Sequence, residues 1–459
     1  MTSAYETFLE AKRITVQPSG FSIDRDVLNA KLFDWQKDIV RWALRCGKAA
    51  IWADCGLGKS AMQLEWAHRV HMHTGGNVLI LAPLAVAKQT QREGVKFGIV
   101  VTVCETQADV QPGINVTNYE KMHHFNLASF SGVVLDESSI LKAYDGKTRT
   151  SIIDAFRFTP YKLACTATPS PNDYMELGNH AEFLGAMSRT EMLSMFFVHD
   201  GGDTSKWRLK GHAANEFWKW IASWAVMLRK PSDLGYSDEG FVLPKVHIHH
   251  HTVKTDVVME GYLFAIEART LEERRKARKA SMNDRVAKCA EIVSQNADPW
   301  LVWCDLNAEG DALEDAITSA VQIAGSDTND FKERTMLDFA DGNVPVLVSK
   351  PSICGYGMNF QVCPNMAFVG LSDSYEMYYQ AKKRIDRYGQ TKEVHIHIIT
   401  SELESSVLKN IQRKEKDAQR MADEMVQHMQ VYNTESVHGT TRKVDAYNPR
   451  KQMIIPNWL

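Results

Sequence analysis

Short apolar runs, each closed by a turn or a glycine-rich segment and followed by a helical pattern, recur along both halves of the chain. They are Ala49–Trp52, Val78–Ala82, Val133–Leu135 and Leu163–Thr166, then Trp300–Cys304, Val346–Ser349, Met366–Val369 and Val394–Ile399. Runs this short and β-branched suit buried strands of parallel sheets wrapped in helices. The pattern predicts a doubly wound α/β fold. Between the halves lies a Trp-rich stretch, expected to be helical, with Trp207, Trp218, Trp220 and Trp224. It ends in Met227-Leu228-Arg229-Lys230-Pro231 and the proline-punctuated Phe241–Lys245. Pro and Gly there place a hinge near residues 235–246. The expected division is 1–240, 241–400, and a charged C-terminal helix with a polar tail over 401–459.

At 459 residues the chain exceeds one hydrophobic core, which agrees with two domains. With 44% hydrophobic and 24% charged residues it reads as globular, and no run is long enough to cross a membrane. The polar start Met1–Glu6 lacks the pattern of a secretory signal, so a cytoplasmic location with reduced thiols is expected. The 8 cysteines include no Cys-x-x-Cys pair, which argues against a disulfide framework or a zinc knuckle. A net charge of -3 gives no strongly basic domain. Contact with nucleic acid would need a local basic track.

The segment Ala53-Asp54-Cys55-Gly56-Leu57-Gly58-Lys59-Ser60 follows an apolar run and opens the helical pattern Ala61–Val70. Strand, loop and helix fall in the order of a phosphate-binding loop. Small residues such as Gly56 and Gly58 let backbone N–H groups curl around a triphosphate at a helix N-terminus; Lys59 reaches the outer phosphates and the Ser60 hydroxyl binds magnesium. Ala53 stands where the usual pattern has its first glycine, a permitted variant. An accidental glycine-rich turn is the competing reading, disfavoured by the flanking strand and helix.

Val133–Leu135 ends in Asp136-Glu137-Ser138-Ser139. Two carboxylates after a buried strand form a Walker B arrangement, in which Asp136 holds magnesium and Glu137 orients and deprotonates the attacking water. Alone, such a pair is usually a solvated loop. Downstream of a phosphate loop it becomes the expected catalytic pair.

Further segments carry a resemblance. Leu32–Lys37 looks like an adenine-reading motif, Leu81-Ala82-Pro83 like motif Ia, Val116–Glu120 like motif Ib, and Cys165–Pro169 like motif III. In the second half, Ile323–Gly325 with Arg334 and Phe339 matches the approach to motif V, Gly355–Gln361 resembles motif V, and Gln380–Gln390 is close to motif VI. Together they resemble helicase superfamily 2, and within it the Swi/Snf-like branch of DNA translocases, over residues 30–400; the compact length is similar to the bacterial and phage members. Ser138-Ser139 replaces the Ala-His of the DEAH-type box.

The resemblance implies two RecA-like doubly wound parallel-sheet lobes with ATP and Mg2+ in the cleft between them. It implies that Gln36 brackets the base, that Gly357 and Gln380 bind nucleotide from the second lobe, and that Met227–Lys230 leads into that lobe. Motifs Ia and Ib would face nucleic acid, with duplex DNA the favoured, non-sequence-specific track. Arg384 and Arg387 would cross the cleft to stabilise transition-state charge when the lobes close. Three apart, they would share a face if the segment is helical. A partner protein on the C-terminal tail is a further expectation. A strand-separating helicase and an ATP-controlled clamp or loader remain the alternatives.

His247, His249 and His251 alternate and would share one face of a strand. Metal binding is one reading; an ordinary strand is favoured, because no carboxylate or cysteine accompanies them at ligand spacing. Trp220 and Trp224, four apart, are expected to face a helical core rather than to stack on bases.

Overall fold

The computed structural model describes residues 16, 18–83, 86–142, 146–170, 173–200, 203–254, 276, 278–355, 358–372 and 374–439. Gly357, the start Met1–Glu6 and the polar tail beyond 439 lie outside the described residues.

The first half builds a sheet of seven strands: β1 (Lys48–Ala53), β2 (Asn77–Ala82), β3 (Val101–Val103), β4 (Ile114–Asn118), β5 (Phe130–Asp136), β6 (Tyr161–Cys165) and β9 (Ala225–Leu228). Their order is β3-β4-β2-β5-β6-β1-β9, and every pairing is parallel. Parallel sheets must be covered on both faces, and two separate apolar clusters cover this one. Helices α1 (Asp34–Cys46), α2 (Lys59–Thr74) and α3 (Ala87–Phe97) belong to this half, as does α4 (Leu177–Leu184). In this order β6 lies between β1 and β5, so the loops leaving β1, β5 and β6 emerge side by side at one edge. Ligands of open α/β sheets bind at such carboxyl ends.

Two expectations for the Trp-rich stretch are corrected. Trp207 is not helical but sits in a separate hairpin of β7 (Phe197–Asp200) and β8 (Asp203–Leu209), against His199 at 3.7 Å between ring centroids. Met227 and Leu228 do not lead into the second lobe; they belong to β9, paired with β1. All four β9 residues are buried, with Ala225 and Met227 in one cluster and Val226 and Leu228 in the other, the signature of a strand covered on both faces. Trp220, on α5 (Ala214–Ala222), and Trp224 are buried core residues, as their spacing predicts, and Trp218 of the same helix is buried with them.

The second half builds a six-stranded parallel sheet from β10 (Val246–Val253), β11 (Trp300–Trp303), β12 (Ala320–Ile323), β13 (Val346–Ser349), β14 (Asn365–Phe368) and β15 (Val394–Ser401). The order is β10-β15-β14-β11-β13-β12. Around it lie α6 (Met282–Val293), α7 (Asn329–Ala340) and α8 (Tyr375–Lys382). The last described element, α9 (Ser405–Val437), runs for 33 residues and touches both halves. Val407 and Ile411 join the second core, whereas Met425 and Met429 join the first. Asn433 completes the edge of β9, accepting from the Met227 N–H at 3.1 Å and donating to the Ala225 carbonyl at 2.9 Å. No helix among the described residues is long and apolar enough to cross a membrane.

The alternating histidines do share a face of β10, and they meet partners that spacing could not reveal. His249 pairs with His395 of β15 at 3.1 Å, His251 with His397 at 3.0 Å, and His247 with Glu393 at 3.1 Å. Among the described residues no group of three potential ligands is arranged to hold a metal ion. Burial and mutual repulsion pull His397 down to about 4 and lower His249 and His251 as well. The unfolded chain therefore binds these protons more tightly than the folded one, so their contribution to stability is complete above pH 6.5 and declines as pH falls toward about 4. Asp136 and Asp173, raised by burial, act in the opposite sense. The expected result is that His397→Gln flattens the acid side of a Tm-against-pH curve relative to wild type; parallel curves would refute it.

Candidate nucleotide site

β1 ends at Ala53, and the chain then turns through Gly56 (φ 86°) and Gly58 (φ 71°) before Lys59 opens α2. Both glycines occupy the left-handed region, and both are closely approached. A Cβ on Gly58 would stand 2.5 Å from the Gln36 amide nitrogen, and one on Gly56 would stand 2.8 Å from the backbone nitrogen of Tyr388. The second contact comes from the other half of the chain. The same Cβ on Gly56 would lie 3.5 Å from the Cα of Arg387. The structure thus brings Arg387 to the phosphate-loop candidate.

Lys59 donates to the carbonyls of Ala53 and Asp54 at 2.9 and 3.3 Å. Gln36 is buried with both polar atoms used: its amide donates to the Leu57 carbonyl, and its oxygen accepts from the Phe33 N–H, each at 3.0 Å. It therefore ties the start of α1 to the loop. Beside it, Phe33 and Tyr388 are the exposed rims of an aromatic cluster in which Tyr388 stacks on Phe241 at 4.9 Å.

Asp136 closes β5, and Gln63 of α2 donates to its carboxylate at 2.7 Å. Burial and the adjacent Glu137 raise Asp136, against Gln63 and Lys59. A desolvated carboxylate beside a second one is a donor pair that a divalent cation would relieve. Glu137 follows with φ 52°, the one non-glycine residue with positive φ among the described residues. Thr166, at the end of β6, approaches the Glu137 carboxylate at 3.5 Å, the limit of a hydrogen bond.

From the second half come Gln380 on α8 and the arginines after it. Here the sequence expectation needs correction: α8 ends at Lys382, so Arg384 and Arg387 lie in a turn, not on a helix face. The reason is that the Arg384 carbonyl accepts from the Phe360 N–H at 3.0 Å, which folds the turn onto the preceding loop. The Arg384 guanidinium is buried and donates to the Gln380 carbonyl and side chain and to the Met358 carbonyl, at 3.0–3.2 Å. The Arg387 side chain has no hydrogen bond or ion pair among the described residues; its carbonyl accepts from the Gln390 N–H at 3.1 Å. Burial and the nearby Arg384 pull it down to about 10, where it remains charged at neutral pH.

Sequence reasoning missed a second bridge across the cleft. The Tyr379 hydroxyl of α8 donates to Asp54 of the phosphate loop, and Lys383 pairs with Asp386 at 2.9 Å. Burial works to raise Asp54, but Lys383 and Tyr379 outweigh it and hold the carboxyl below its usual value. The only signal was the four-residue spacing of Tyr379, just before the motif VI resemblance, and Lys383 within it. On the far side of Glu137 a cavity of about 760 Å3 opens between the halves, bordered by Pro83, Asn118 and Glu120 on one wall and by Gly325, Ser352 and Met358 on the other. Ion pairs cross it, Lys88 to Glu333 and Lys142 to Glu376.

No protein-family model matches the chain. A curated relative, "Putative protein p41" of Acyrthosiphon pisum secondary endosymbiont phage 1, is 24% identical over 440 residues, covering 80% of this chain and 92% of its own. Among solved structures, the Sulfolobus solfataricus SWI2/SNF2 ATPase core in complex with dsDNA matches 91% of this chain and 99% of its own, at 17% identity and a TM-score of 0.43. S. cerevisiae Dbp5 bound to RNA and ADP BeF3 matches 86% of this chain and 93% of its own, at 12% identity and a TM-score of 0.53. The fold is the one shared with Dbp5, two α/β lobes each built on a parallel sheet. Its two parallel sheets are the two RecA-like lobes, and the cleft between them holds the phosphate-loop candidate.

Proposed function

We propose that the chain is a nucleic-acid-dependent ATPase that couples hydrolysis to movement along duplex DNA. The observation that carries this reading is the meeting of Gly56 and Arg387 from two different lobes, because a cation supplied across a cleft makes closure and hydrolysis interdependent. The domain division is 1–240, 241–400 and 401–459, and the bacterial cytoplasm is the proposed location.

The residues present fit ATP with magnesium. The backbone from Gly56 to Ser60, at the start of α2, would hold the phosphates, and Ser60 with Asp136 would hold the metal. Bound magnesium would neutralise phosphate charge. Phe33 and Tyr388, exposed beside the buried Gln36, form an aromatic mouth suited to a planar base; Gln380 belongs to the second-lobe wall, and Gly357, outside the described residues, is proposed as a nucleotide ligand on the sequence resemblance alone. Glu137 takes a proton from water, and Lys59, Arg384 and Arg387 place positive charge where it develops. The cavity beyond Glu137, with motif Ia and Ib residues on its wall, is the nucleic-acid side, and gripping a phosphate backbone there needs no base contacts. Binding should be non-specific and weaken steeply with salt.

A second reading is a strand-separating helicase, for which the β7–β8 hairpin, apart from both sheets, supplies a candidate wedge. The test is ATP turnover with duplex DNA, single-stranded DNA and RNA, followed by triplex displacement. Stimulation by duplex and triplex displacement without unwinding is expected. Efficient release of a strand from a forked duplex would favour the helicase, and DNA-stimulated turnover without triplex displacement would favour the clamp. A duplex-stimulated rate that does not rise with track length would also count against stepping.

A further inference from the structure

Glu137 has a left-handed backbone that side-chain-bearing residues adopt only when their surroundings enforce it. The direction of its carboxylate depends on that backbone, because φ sets the Cα–Cβ bond from which the side chain projects. What enforces it lies on both sides. The preceding carbonyl, that of Asp136, accepts from the Tyr119 hydroxyl at 2.6 Å. The following side chain, Ser138, shares a hydrogen bond of 3.0 Å with His180 Nε2.

His180 was singled out by no motif. It comes from α4, whose two consecutive polar residues both grip the turn after Glu137. Asn179 donates to the carbonyls of Leu141 and Lys142 at 2.7 and 3.2 Å, while His180 takes Ser138. Ser138 and His180 are completely buried, and the imidazole sits edge-on to Trp52 of β1 at 5.6 Å. Burial pulls His180 down to about 4, so it is neutral under ordinary conditions. The box itself carries no histidine, since Ser139 stands in its last place.

We propose that His180, acting through Ser138, is a positioning residue for Glu137, with Tyr119 holding the opposite side of the same peptide. This rests on the reading of Glu137 as the group that takes a proton from water. Without the Ser138 contact the backbone relaxes from φ 52° and the carboxylate swings away from its water. Ground-state nucleotide binding, made by the loop before α2, is untouched. The signature is a fall in kcat with KM for ATP preserved.

The experiment compares wild type, Ser138→Ala, His180→Leu, His180→Gln and the double variant Ser138→Ala/His180→Leu in the full chain. ATP turnover at saturating duplex DNA, KM, binding of a fluorescent ATP analogue and Tm are measured for each. Ser138→Ala and His180→Leu should each lose on the order of 10–100-fold in kcat, the scale of a small misplacement of a catalytic group. KM should stay within about twofold, since a transition-state contact alone is lost. His180→Gln, with a polar atom near the Nε2 position, should recover part of the loss. The double variant should be no slower than either single one, because the two residues act as one contact. Unchanged kcat per folded molecule in Ser138→Ala overturns the inference even if His180→Leu fails to fold. Losses that multiply in the double variant overturn it as well. A wild-type protein without turnover overturns the proposed function itself, whereas wild-type turnover with indifferent variants overturns only this inference.

Discussion

Lys59→Ala is expected to yield a folded protein whose ATP turnover has fallen by roughly 10²–10³-fold or more, the scale of losing one preorganised donor to developing charge. Folding should survive because, among the described residues, the Lys59 amine hydrogen-bonds only to the carbonyls of Ala53 and Asp54 at the loop and joins neither apolar core. Circular dichroism and Tm establish the fold, and a phosphate-release assay gives the rate. Glu137→Gln is the companion: the amide preserves shape and loses basicity, so ATP binding should persist while hydrolysis drops by about 10²–10⁴-fold. Unaltered turnover in a folded Lys59→Ala protein would remove the loop from the proposed chemistry. Wild-type turnover in Glu137→Gln would remove Glu137 alone.

The second large effect distinguishes the two arginines, which sequence treated alike. The Arg387 side chain has no hydrogen bond or ion pair among the described residues, and the residue lies against Gly56. Arg387→Ala should therefore lower kcat by up to about 10³–10⁵-fold, the range of a cross-cleft arginine, with little change in Tm. Arg384 is different, because it donates three hydrogen bonds within its own lobe. Arg384→Ala should lower kcat and also destabilise the fold by about 1–3 kcal/mol, since the Met358 carbonyl and Gln380 lose a buried donor. Equal Tm losses in the two variants would contradict this division. A rise in KM with kcat intact would make either arginine a ground-state phosphate ligand.

What could be read from sequence was what is local. β1, β5 and β6 were legible because each is a short apolar run stopping at a chemically distinctive loop, and period and punctuation suffice for that. β9 was not, because Ala225–Leu228 abuts tryptophans that promised a helix. Only α9, arriving from more than 200 residues away through Asn433, shows what the far side of that strand packs against. The shape of the turn carrying Arg384 and Arg387 was hidden for a similar reason. Its spacing is helical, and the Phe360 N–H that diverts it is remote in sequence. His180 and the partners of the β10 histidines carry no local signal at all. Their meaning is created by which strand or helix the fold sets beside them.

The two lobes are joined twice, by the connection over residues 235–245 and again by α9. A helix of that length spans about 50 Å, and its ends are anchored in different cores. A body held at one point can tumble like a ball in a socket; held at two separated points it can only swing, as a door does. On the proposed function, a stroke would then be a rotation about a line fixed by the chain itself, and the length of track covered per cycle would be a matter of leverage, set by how far the gripping surface lies from that line.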